Sequence, residues 1–213
     1  QNSPGFQTKD AGPLFAALRA GHLDEARACW KKIFDSIRYG RFNDFRFAVG
    51  YIFKSLTALL AELDLEPLSF NRDMLDNLED VKLLHQVLDD AFARIVSAQN
   101  DRLKKRLNQL AARINERIGT GYSDDALSAQ HIADEMGMNA VYLGRLYRKS
   151  TGISINDAIN RTRVEKAKRR LRETSETVES ISAKVGFSNT KYFYVIFKNI
   201  VGVTPNKFRN QGY

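Results

Sequence analysis

The residues best suited to chemistry in this chain are basic side chains that recur in two related segments of its last third. Arg145, Arg148 and Lys149 belong to the first segment, and Lys191 and Lys198 belong to the second. A guanidinium presents a planar fork of N–H donors and an ammonium group a compact positive charge, so both bind phosphate, carboxylate and other acceptor groups. The pattern predicts recognition of an acceptor-rich partner rather than bond-breaking chemistry.

No catalytic or metal-binding constellation accompanies these cations. The three histidines, His22, His85 and His131, are scattered without metal-ligand spacing, and the sequence contains neither a GxxxxGK(S/T) loop nor an HExxH motif. The single cysteine, Cys29, has helix-forming neighbours, which favours a packed thiol over a nucleophile, and it suits a reducing cytoplasm. We therefore expect no enzyme activity, no cofactor and no metal ion.

The elements that must position the basic residues are written twice. His131–Met138 recurs as Ser180–Phe187, 49 residues later, and Tyr142–Lys149 recurs as Tyr192–Asn199, 50 residues later. Each copy reads helix, glycine turn, helix, which is the pattern of a helix-turn-helix. One residue must be inserted between the two blocks of the second copy.

Local signals set the predicted ends of these helices. In the first copy we expect Ser128 to cap a helix that ends at Met136, Gly137 to form the turn and Asn139 to cap the second helix. The corresponding turn and cap residues of the second copy are Gly186 and Ser188. By apolar spacing, the core or partly core residues of the two second helices are Tyr142, Leu143, Leu146, Tyr147, Tyr192, Phe193, Ile196 and Phe197.

A linker helix is predicted between the two copies, from an N-cap at Ser154 to Glu173, with apolar residues on one side and basic residues elsewhere. Its length at about 1.5 Å per residue is roughly 28 Å, against about 34 Å for one turn of B-DNA. A stiff helix of that length could hold two recognition helices on one side of a duplex. If the grooves are out of phase, the DNA must bend at a cost on the order of 1–6 kcal/mol.

The charge of the chain is divided between its halves. From Arg102 to Tyr213 there are 21 Lys and Arg against 10 Asp and Glu, a net charge of +11, whereas residues 1–101 carry 12 against 15, a net charge of −3. This asymmetry is typical of a nucleic-acid-binding module attached to another region. A solubilising basic surface is the alternative, but the cations lie on the predicted recognition elements, which favours the first interpretation.

Almost no alternation of apolar and polar residues occurs, so we predict an all-α protein. Residues 1–100 form an N-terminal helical bundle or linker region for interaction, dimerisation or signal coupling, and residues 101–213 form the domain with two helix-turn-helix segments. Asn71 and Asp73 are expected to open a short helix of the N-terminal region. No apolar run approaches a membrane span. The chain begins at Gln1 without a methionine, which suggests a fragment of a longer protein.

The joint between the two regions has two interpretations. Apolar residues recur every three or four positions from Val81 to Ile118, which predicts either one long helix or two helices broken near Ser97–Asp101. A continuous helix could transmit a signal or dimerise. The polar stretch Gln99–Asp101 favours the break, and we place the domain boundary there.

The region from Ala126 to Arg209 resembles the DNA-binding domain of AraC/XylS-type transcription regulators. The segments that carry the resemblance occur in the expected order: Ile132–Gly137, Tyr142–Lys149, Arg163–Lys168, Val185–Phe187, Tyr192–Phe193, Phe197–Lys198 and Gly202–Pro205. The resemblance implies a seven-helix domain in which two helix-turn-helix segments, joined by a linker helix, bind double-stranded DNA.

The resemblance, with the chemistry of each side chain, implies which residues touch DNA. The base-contact candidates are Val141, Gly144, Arg145, Thr190, Lys191 and Val195, and the phosphate-contact candidates are Asn139, Arg148, Lys149, Arg163, Ser188, Asn189 and Lys198. Arg145 is the candidate for guanine because its fork matches O6 and N7, a contact that discriminates by about 1–3 kcal/mol; phosphate contact is its alternative. Gly144 and Val195 have no side-chain donor, although Val195 can touch a thymine methyl group. Arg169, Arg170 and Arg172 are expected to form a solvated face.

We therefore predict a sequence-specific bacterial transcription regulator that works in the cytoplasm, with promoter DNA and RNA polymerase as partners. Activation is the commoner role in such families, so we expect an activator. A homodimer through the N-terminal helices is a further expectation. The alternative is a helical interaction protein whose basic half binds an anionic membrane or an acidic protein. A lipid-binding face would need exposed apolar residues, whereas the apolar stripes here belong to the predicted cores, so we expect no membrane contact.

Overall fold

The computed structural model of the chain describes residues 6–68 and 81–210. In these residues a short 3-10 helix, Thr8–Ala11, precedes ten α-helices and no strand occurs, which confirms the predicted all-α class. The helices are α1 Gly12–Ala20, α2 Leu23–Ile37, α3 Phe42–Glu62, α4 Val81–Gly121, α5 Ala129–Glu135, α6 Ala140–Thr151, α7 Ile155–Glu173, α8 Val178–Lys184, α9 Thr190–Val201 and α10 Pro205–Asn210. No helix among these residues has the length and apolar character to cross a membrane. The helix predicted from Asn71 and Asp73 lies outside the described residues.

The chain divides into two compact units, Gln1–Leu103 and Lys104–Tyr213. The first unit is built on one apolar core to which α1, α2, α3 and the N-terminal half of α4 all contribute. Its fully buried side chains include Leu14, Leu18, Ile52, Leu56, Leu60, Leu88, Phe92 and Ile95. This unit is therefore a small helical bundle with a core of its own.

The predicted break near Ser97–Asp101 is wrong, because α4 runs without interruption from Val81 to Gly121. No proline occurs in this helix, and its first glycine is Gly119. The polar side chains of the stretch lie on the exposed or half-exposed surface of the helix, where they meet water. Such residues cost only fractions of a kcal/mol each (~0.7 kcal/mol at most) in a helix, too little to break it.

The second unit contains the end of α4 and helices α5 to α10, which are the seven helices that the resemblance implied. It has two apolar cores. The first helix-turn-helix core is formed by Ala111, Ile114, Ile118, Leu127, Ile132, Ala133, Leu143, Tyr147, Ile155, Ala158 and Ile159. The second helix-turn-helix core is formed by Val164, Ala167, Leu171, Val178, Ile181, Val185, Phe187, Phe193, Phe197 and Phe208.

Helix α7 joins the two cores and has the predicted bounds. Ser154 caps it through a reciprocal pair of hydrogen bonds: the Ser154 hydroxyl accepts from the Asp157 amide at 3.1 Å, and the Asp157 carboxylate accepts from the Ser154 amide at 3.3 Å. The N-terminal half of α7 packs in the first helix-turn-helix core and the C-terminal half in the second. One rigid element therefore supports both.

The first helix-turn-helix core contains one polar tie, which a single substitution can test. The buried Tyr147 hydroxyl donates to Asn115 Oδ1 at 2.6 Å. We expect Tyr147→Phe to lower the free energy of unfolding by about 1 kcal/mol, the usual contribution of such a hydrogen bond. Tyr142→Phe is the control, because the Tyr142 side chain is exposed and removal of its hydroxyl should change the free energy of unfolding by less than about 0.5 kcal/mol. Urea-induced unfolding measures both; equal effects would contradict the assignment.

Candidate nucleic-acid interface

The second helix of each helix-turn-helix is the element that carries the candidate contact residues. We call α6 the first recognition helix and α9 the second recognition helix. Each has 12 residues, begins after an asparagine N-cap and ends at a glycine in the left-handed region, Gly152 with φ 80° and Gly202 with φ 86°. They begin at Ala140 and Thr190, so the 50-residue register of the sequence describes them residue by residue.

Asparagine caps set the start of both recognition helices. Asn139 Oδ1 accepts from the amides of Val141 and Tyr142 at 3.0 and 3.1 Å, which confirms the predicted cap. In the second copy the cap is Asn189, whose Oδ1 accepts from the Tyr192 amide at 3.1 Å. The prediction that Ser188 is the cap is therefore wrong. Ser188 is the residue inserted in the second copy, and it lies in the turn before the cap.

The inner faces of the recognition helices are the most buried part of each element. Leu143 and Tyr147 are buried in the first, and Phe193 and Phe197 are buried in the second, as predicted. Leu146 and Ile196 are half-buried at the edges of the same faces. These side chains fix the rotation of each helix about its axis, so the opposite face must point to solvent.

Two tyrosines that we expected to lie in the core or partly in it are largely exposed. Tyr142 is 56% exposed and Tyr192 is 49% exposed. Each precedes the first buried residue of its helix by one position, about 100° around the axis, which turns it away from the core. Tyr192 is nevertheless held in place, because its hydroxyl accepts from Asn160 Nδ2 at 3.3 Å and its ring meets the edge of Phe187.

The base-contact candidates lie on the outer faces or at their margins. Val141 is 63% exposed and Val195 is 55% exposed, and Arg145 and Lys191 are also exposed. Thr190 and Gly144 are intermediate in exposure, and a Cβ on Gly144 would meet no atom within 4 Å. The structure thus places these six residues on two helices, with open space around Gly144.

The register reveals a residue that the sequence analysis left out of the site. Tyr194 is the counterpart of Gly144, and Val195 is the counterpart of Arg145, 50 positions apart. The Tyr194 hydroxyl accepts from Asn206 Nδ2 at 3.2 Å, which ties the second recognition helix to α10. The 50-residue register already pairs Tyr194 with Gly144, so applying it to each base-contact candidate of the first copy would have found this residue. The two outer faces therefore carry different chemistry on the same backbone.

Three cations of the linker helix form ion pairs, whereas those of the recognition helices form none among the described residues. On α7, Lys168 pairs with Glu165, Arg169 with Glu173 and Arg170 with Glu176, at 2.9, 3.0 and 2.6 Å, and the Arg172 guanidinium lies 5.0 Å from the Phe208 ring centre. The exposed cations with no ion pair among the described residues include Arg145, Arg148, Lys149, Lys191 and Lys198. These charges are available to a partner without first breaking a bond within the protein.

Arg163, a predicted phosphate contact, is not available to a partner. It is 7% exposed, and its guanidinium donates from Nε to the Tyr122 carbonyl at 2.9 Å and from a terminal nitrogen to the Asp124 carbonyl at 2.8 Å. Burial lowers its pKa, and the nearby carboxylates of Asp124 and Asp125 oppose that shift. The sequence showed a cation on a basic helix but not the carbonyl groups that it binds.

The remaining phosphate candidates are accessible. Arg148, Lys149 and Lys198 are exposed near the C-terminal ends of the recognition helices, and Asn139, Ser188 and Asn189 are exposed at their N-terminal ends. Each asparagine uses its side-chain oxygen in the cap, which leaves its amide NH2 group as a donor. Helix N-termini also favour phosphate through their unpaired amides. Contact with phosphate stays a prediction for these six residues.

Comparison with known proteins gives one match within the second unit and others that extend over more of the chain. A family model described as a helix-turn-helix domain matches residues 132–211. An uncharacterized HTH-type transcriptional regulator of Bacillus subtilis (strain 168), YtdP, is 25% identical over 205 residues, 93% of this chain and 27% of that protein. The Msm operon regulatory protein of Streptococcus mutans is 29% identical over 145 residues, 68% of this chain and 50% of that protein.

Among solved structures, the C-terminal domain of AraT, a response regulator from Geobacillus stearothermophilus, is 30% identical, with a TM-score of 0.48 over 50% of this chain and 88% of that domain. Of the two relatives compared by sequence, the chain spans about a quarter of the YtdP protein and half of the Msm regulator.

The cap of the second recognition helix offers a test with a neighbouring control. We expect Asn189→Ala to lower the free energy of unfolding by about 1 kcal/mol, because it removes the acceptor of the Tyr192 amide. Ser188→Ala should change it by less than about 0.5 kcal/mol, because Ser188 is exposed in the turn. Thermal unfolding of both variants measures the difference. A larger loss for Ser188→Ala would return the cap to that residue.

Proposed function

We propose that the chain is a sequence-specific regulator of transcription that binds double-stranded promoter DNA, because residues 132–211 match a family model described as a helix-turn-helix domain and resemble the AraC/XylS type. It inserts its two recognition helices into adjacent major grooves. The observation that carries the proposal is the pair of equally capped helices, α6 and α9, whose outer faces bear exposed cations without an ion pair among the described residues. The major groove is wide enough to admit an α-helix.

Base reading falls to a few residues of the outer faces. Arg145 donates its fork to O6 and N7 of guanine, and Val141 and Val195 contact thymine methyl groups. Gly144 has no side chain to hold the backbone away from the DNA, and the space around it is open. Lys191 and Thr190 contact bases from the first turn of the second recognition helix.

Phosphate contacts supply affinity and register. Lys149 and Lys198 donate from the C-terminal turns, and the free amide groups of Asn139 and Asn189 donate from the N-caps. Each neutralised phosphate releases counterions from the DNA, so binding weakens as salt rises. This division predicts that basic residues at the helix ends set the strength of binding, whereas Arg145 sets its sequence preference.

The spacing of the recognition helices follows from α7. Its 19 residues span roughly 28 Å at about 1.5 Å per residue, which is shorter than the ~34 Å turn of B-DNA. The DNA must therefore bend toward the protein, or the helices must enter their grooves at an angle. A bend of this kind costs on the order of 1–6 kcal/mol and makes binding depend on the flexibility of bases that are not touched.

The wider role belongs to the same proposal. The regulator works in the cytoplasm, contacts RNA polymerase at the promoter and activates transcription rather than repressing it. The first unit mediates dimerisation or couples the DNA-binding unit to a signal. The competing function is binding to an anionic membrane or an acidic protein. The two cores bury large apolar side chains of the second unit, but Val141, Tyr142, Tyr192, Val195 and Ile200 remain exposed, so binding to a membrane must be measured directly.

One experiment separates these functions. Duplexes are selected from random-sequence DNA with the intact chain, and binding of the selected duplex is compared with binding to a random duplex and to vesicles rich in anionic lipid. We expect a preference for the selected duplex of at least about 1000-fold over random DNA at physiological salt. Selection of no sequence, with binding to vesicles, would support the competing function.

Arg145→Ala tests the base contact. We expect it to remove about 1–3 kcal/mol of discrimination at one position of the selected duplex, while weak, salt-sensitive binding to random DNA is retained. Arg169→Ala is the control, since it removes the same charge from a residue of α7 that pairs with Glu173. Mobility-shift titrations give both values. Equal losses on selected and random DNA would reassign Arg145 to a phosphate.

Lys198→Ala tests the phosphate contact. We expect the affinity to fall by the same factor on selected and random duplexes. The slope of log affinity against log salt, which is negative, should become shallower by about 0.9. Titrations at four salt concentrations measure the slope. A change of sequence preference in this variant would move Lys198 to the base-reading set.

A further inference from the structure

The turns of the two helix-turn-helix segments differ in what surrounds them. Gly137 forms the first turn with φ 64°, is exposed, and a Cβ on it would meet no atom within 4 Å. Gly186 forms the second turn with φ 91° and is buried. A Cβ on Gly186 would lie 2.3 Å from the Tyr122 carbonyl oxygen and 2.9 Å from Arg163 Nε. Of the two turn glycines, only Gly186 therefore lies directly against another part of the chain.

The surface that covers Gly186 is the loop that follows α4. Tyr122 and Asp124 belong to this loop, and both of their carbonyl groups accept from the Arg163 guanidinium. The same guanidinium lies 5.4 Å from the ring centre of Phe187, the residue after the turn glycine. Arg163 therefore joins three elements: the loop after α4, the linker helix α7 and the second turn.

The position of Arg163 along α7 gives this joint its importance. Ile159 is the last α7 residue in the first helix-turn-helix core, and Val164 is the first in the second. Arg163 stands next to this changeover, where one helix passes from one core to the other. Arg163 therefore adds a polar attachment between the loop after α4 and the second turn, at the point where the apolar contacts of α7 change from one core to the other.

We propose that Arg163 is a positioning residue for the second recognition helix: through the loop after α4 it holds the second helix-turn-helix in the orientation that reads its half of the DNA site. The inference rests on the proposed function. It assigns no DNA contact to Arg163. It predicts that loss of this joint impairs reading of one half of the site and leaves reading of the other half intact.

The experiment uses a duplex selected from random DNA by the intact, unsubstituted chain, together with two derivatives in which one half is scrambled. The half that belongs to α6 is identified as the one whose preference changes in Arg145→Ala. For the unsubstituted chain, scrambling either half should cost about tenfold or more in affinity. For Arg163→Met, we expect the affinity for the intact duplex to fall about tenfold. Scrambling the α9 half should then lower the affinity of this variant by less than about threefold more. Scrambling the α6 half should lower its affinity by the same factor as in the unsubstituted chain.

Three further variants separate positioning from general loss of stability. Gly186→Ala keeps the Arg163 side chain but adds a Cβ that clashes with both the Tyr122 carbonyl and Arg163 Nε, so it must displace this joint and should give the same pattern as Arg163→Met. Gly137→Ala carries a similar positive-φ strain without a neighbour to displace, so it should leave the dependence on both halves unchanged. Arg163→Lys keeps the charge but loses the two-donor fork, so its pattern should be intermediate. Thermal unfolding establishes the temperature at which every variant is folded.

The outcomes are distinct. If Arg163→Met and Gly186→Ala lose both halves equally, or keep the dependence of the unsubstituted chain, Arg163 has no positioning role. If the unsubstituted chain selects no duplex at all, the proposed function fails, and the failure is visible before any variant is tested.

Discussion

In the second unit, helix α7 is buried along its first half by one apolar core and along its second half by another. Ile155 and Ile159 lie in the first helix-turn-helix core, and Val164 and Leu171 lie in the second. Burial of such a side chain contributes about 1.5–3 kcal/mol, so neither helix-turn-helix can leave α7 without a large loss. The distance between the recognition helices is therefore set by a helix and not by a flexible loop.

On this shared frame, the inner residues of the two copies are large in both, whereas the outer faces carry different side chains at the base-contact positions. The buried pairs Leu143 with Phe193 and Tyr147 with Phe197 are all large, and both N-caps are asparagine. On the outer faces, however, Arg145 corresponds to Val195. Under the proposed function, a guanidinium and a methyl-bearing side chain suit different bases, so we expect the two halves of the bound site to differ in sequence. A single chain would thus bind DNA in one direction.

Helix bounds and N-caps that depend on neighbouring residues could be predicted from the sequence. The second N-cap and the partners of Arg163 could not, because they depend on the position of an insertion and on residues far away in the chain. The bounds of α7 and the caps Ser128, Asn139 and Ser154 follow from side chains that bond to amides two or three residues away. Assigning the second cap required knowledge of where the inserted residue lies. The burial of Arg163 depends on hydrogen bonds to carbonyl groups about 40 residues earlier in the chain. No pattern of apolar or charged residues signals such acceptors.

The attachments of α4 within the second unit are unequal, and this has a mechanical consequence. Ile114 and Ile118 of α4 are buried in the first helix-turn-helix core, and Arg117 adds a bidentate bond to Glu135, which lowers the pKa of that carboxyl. The second helix-turn-helix is reached by the loop after α4, through Tyr122 and the carbonyls that Arg163 binds. Moving α4 against the first helix-turn-helix would open an apolar core, whereas moving it against the second would break hydrogen bonds at one buried guanidinium. Within the second unit, α4 and the loop after it are thus joined to the first helix-turn-helix by an apolar core, and to the second by the hydrogen bonds of Arg163 and the partly buried Tyr122 side chain.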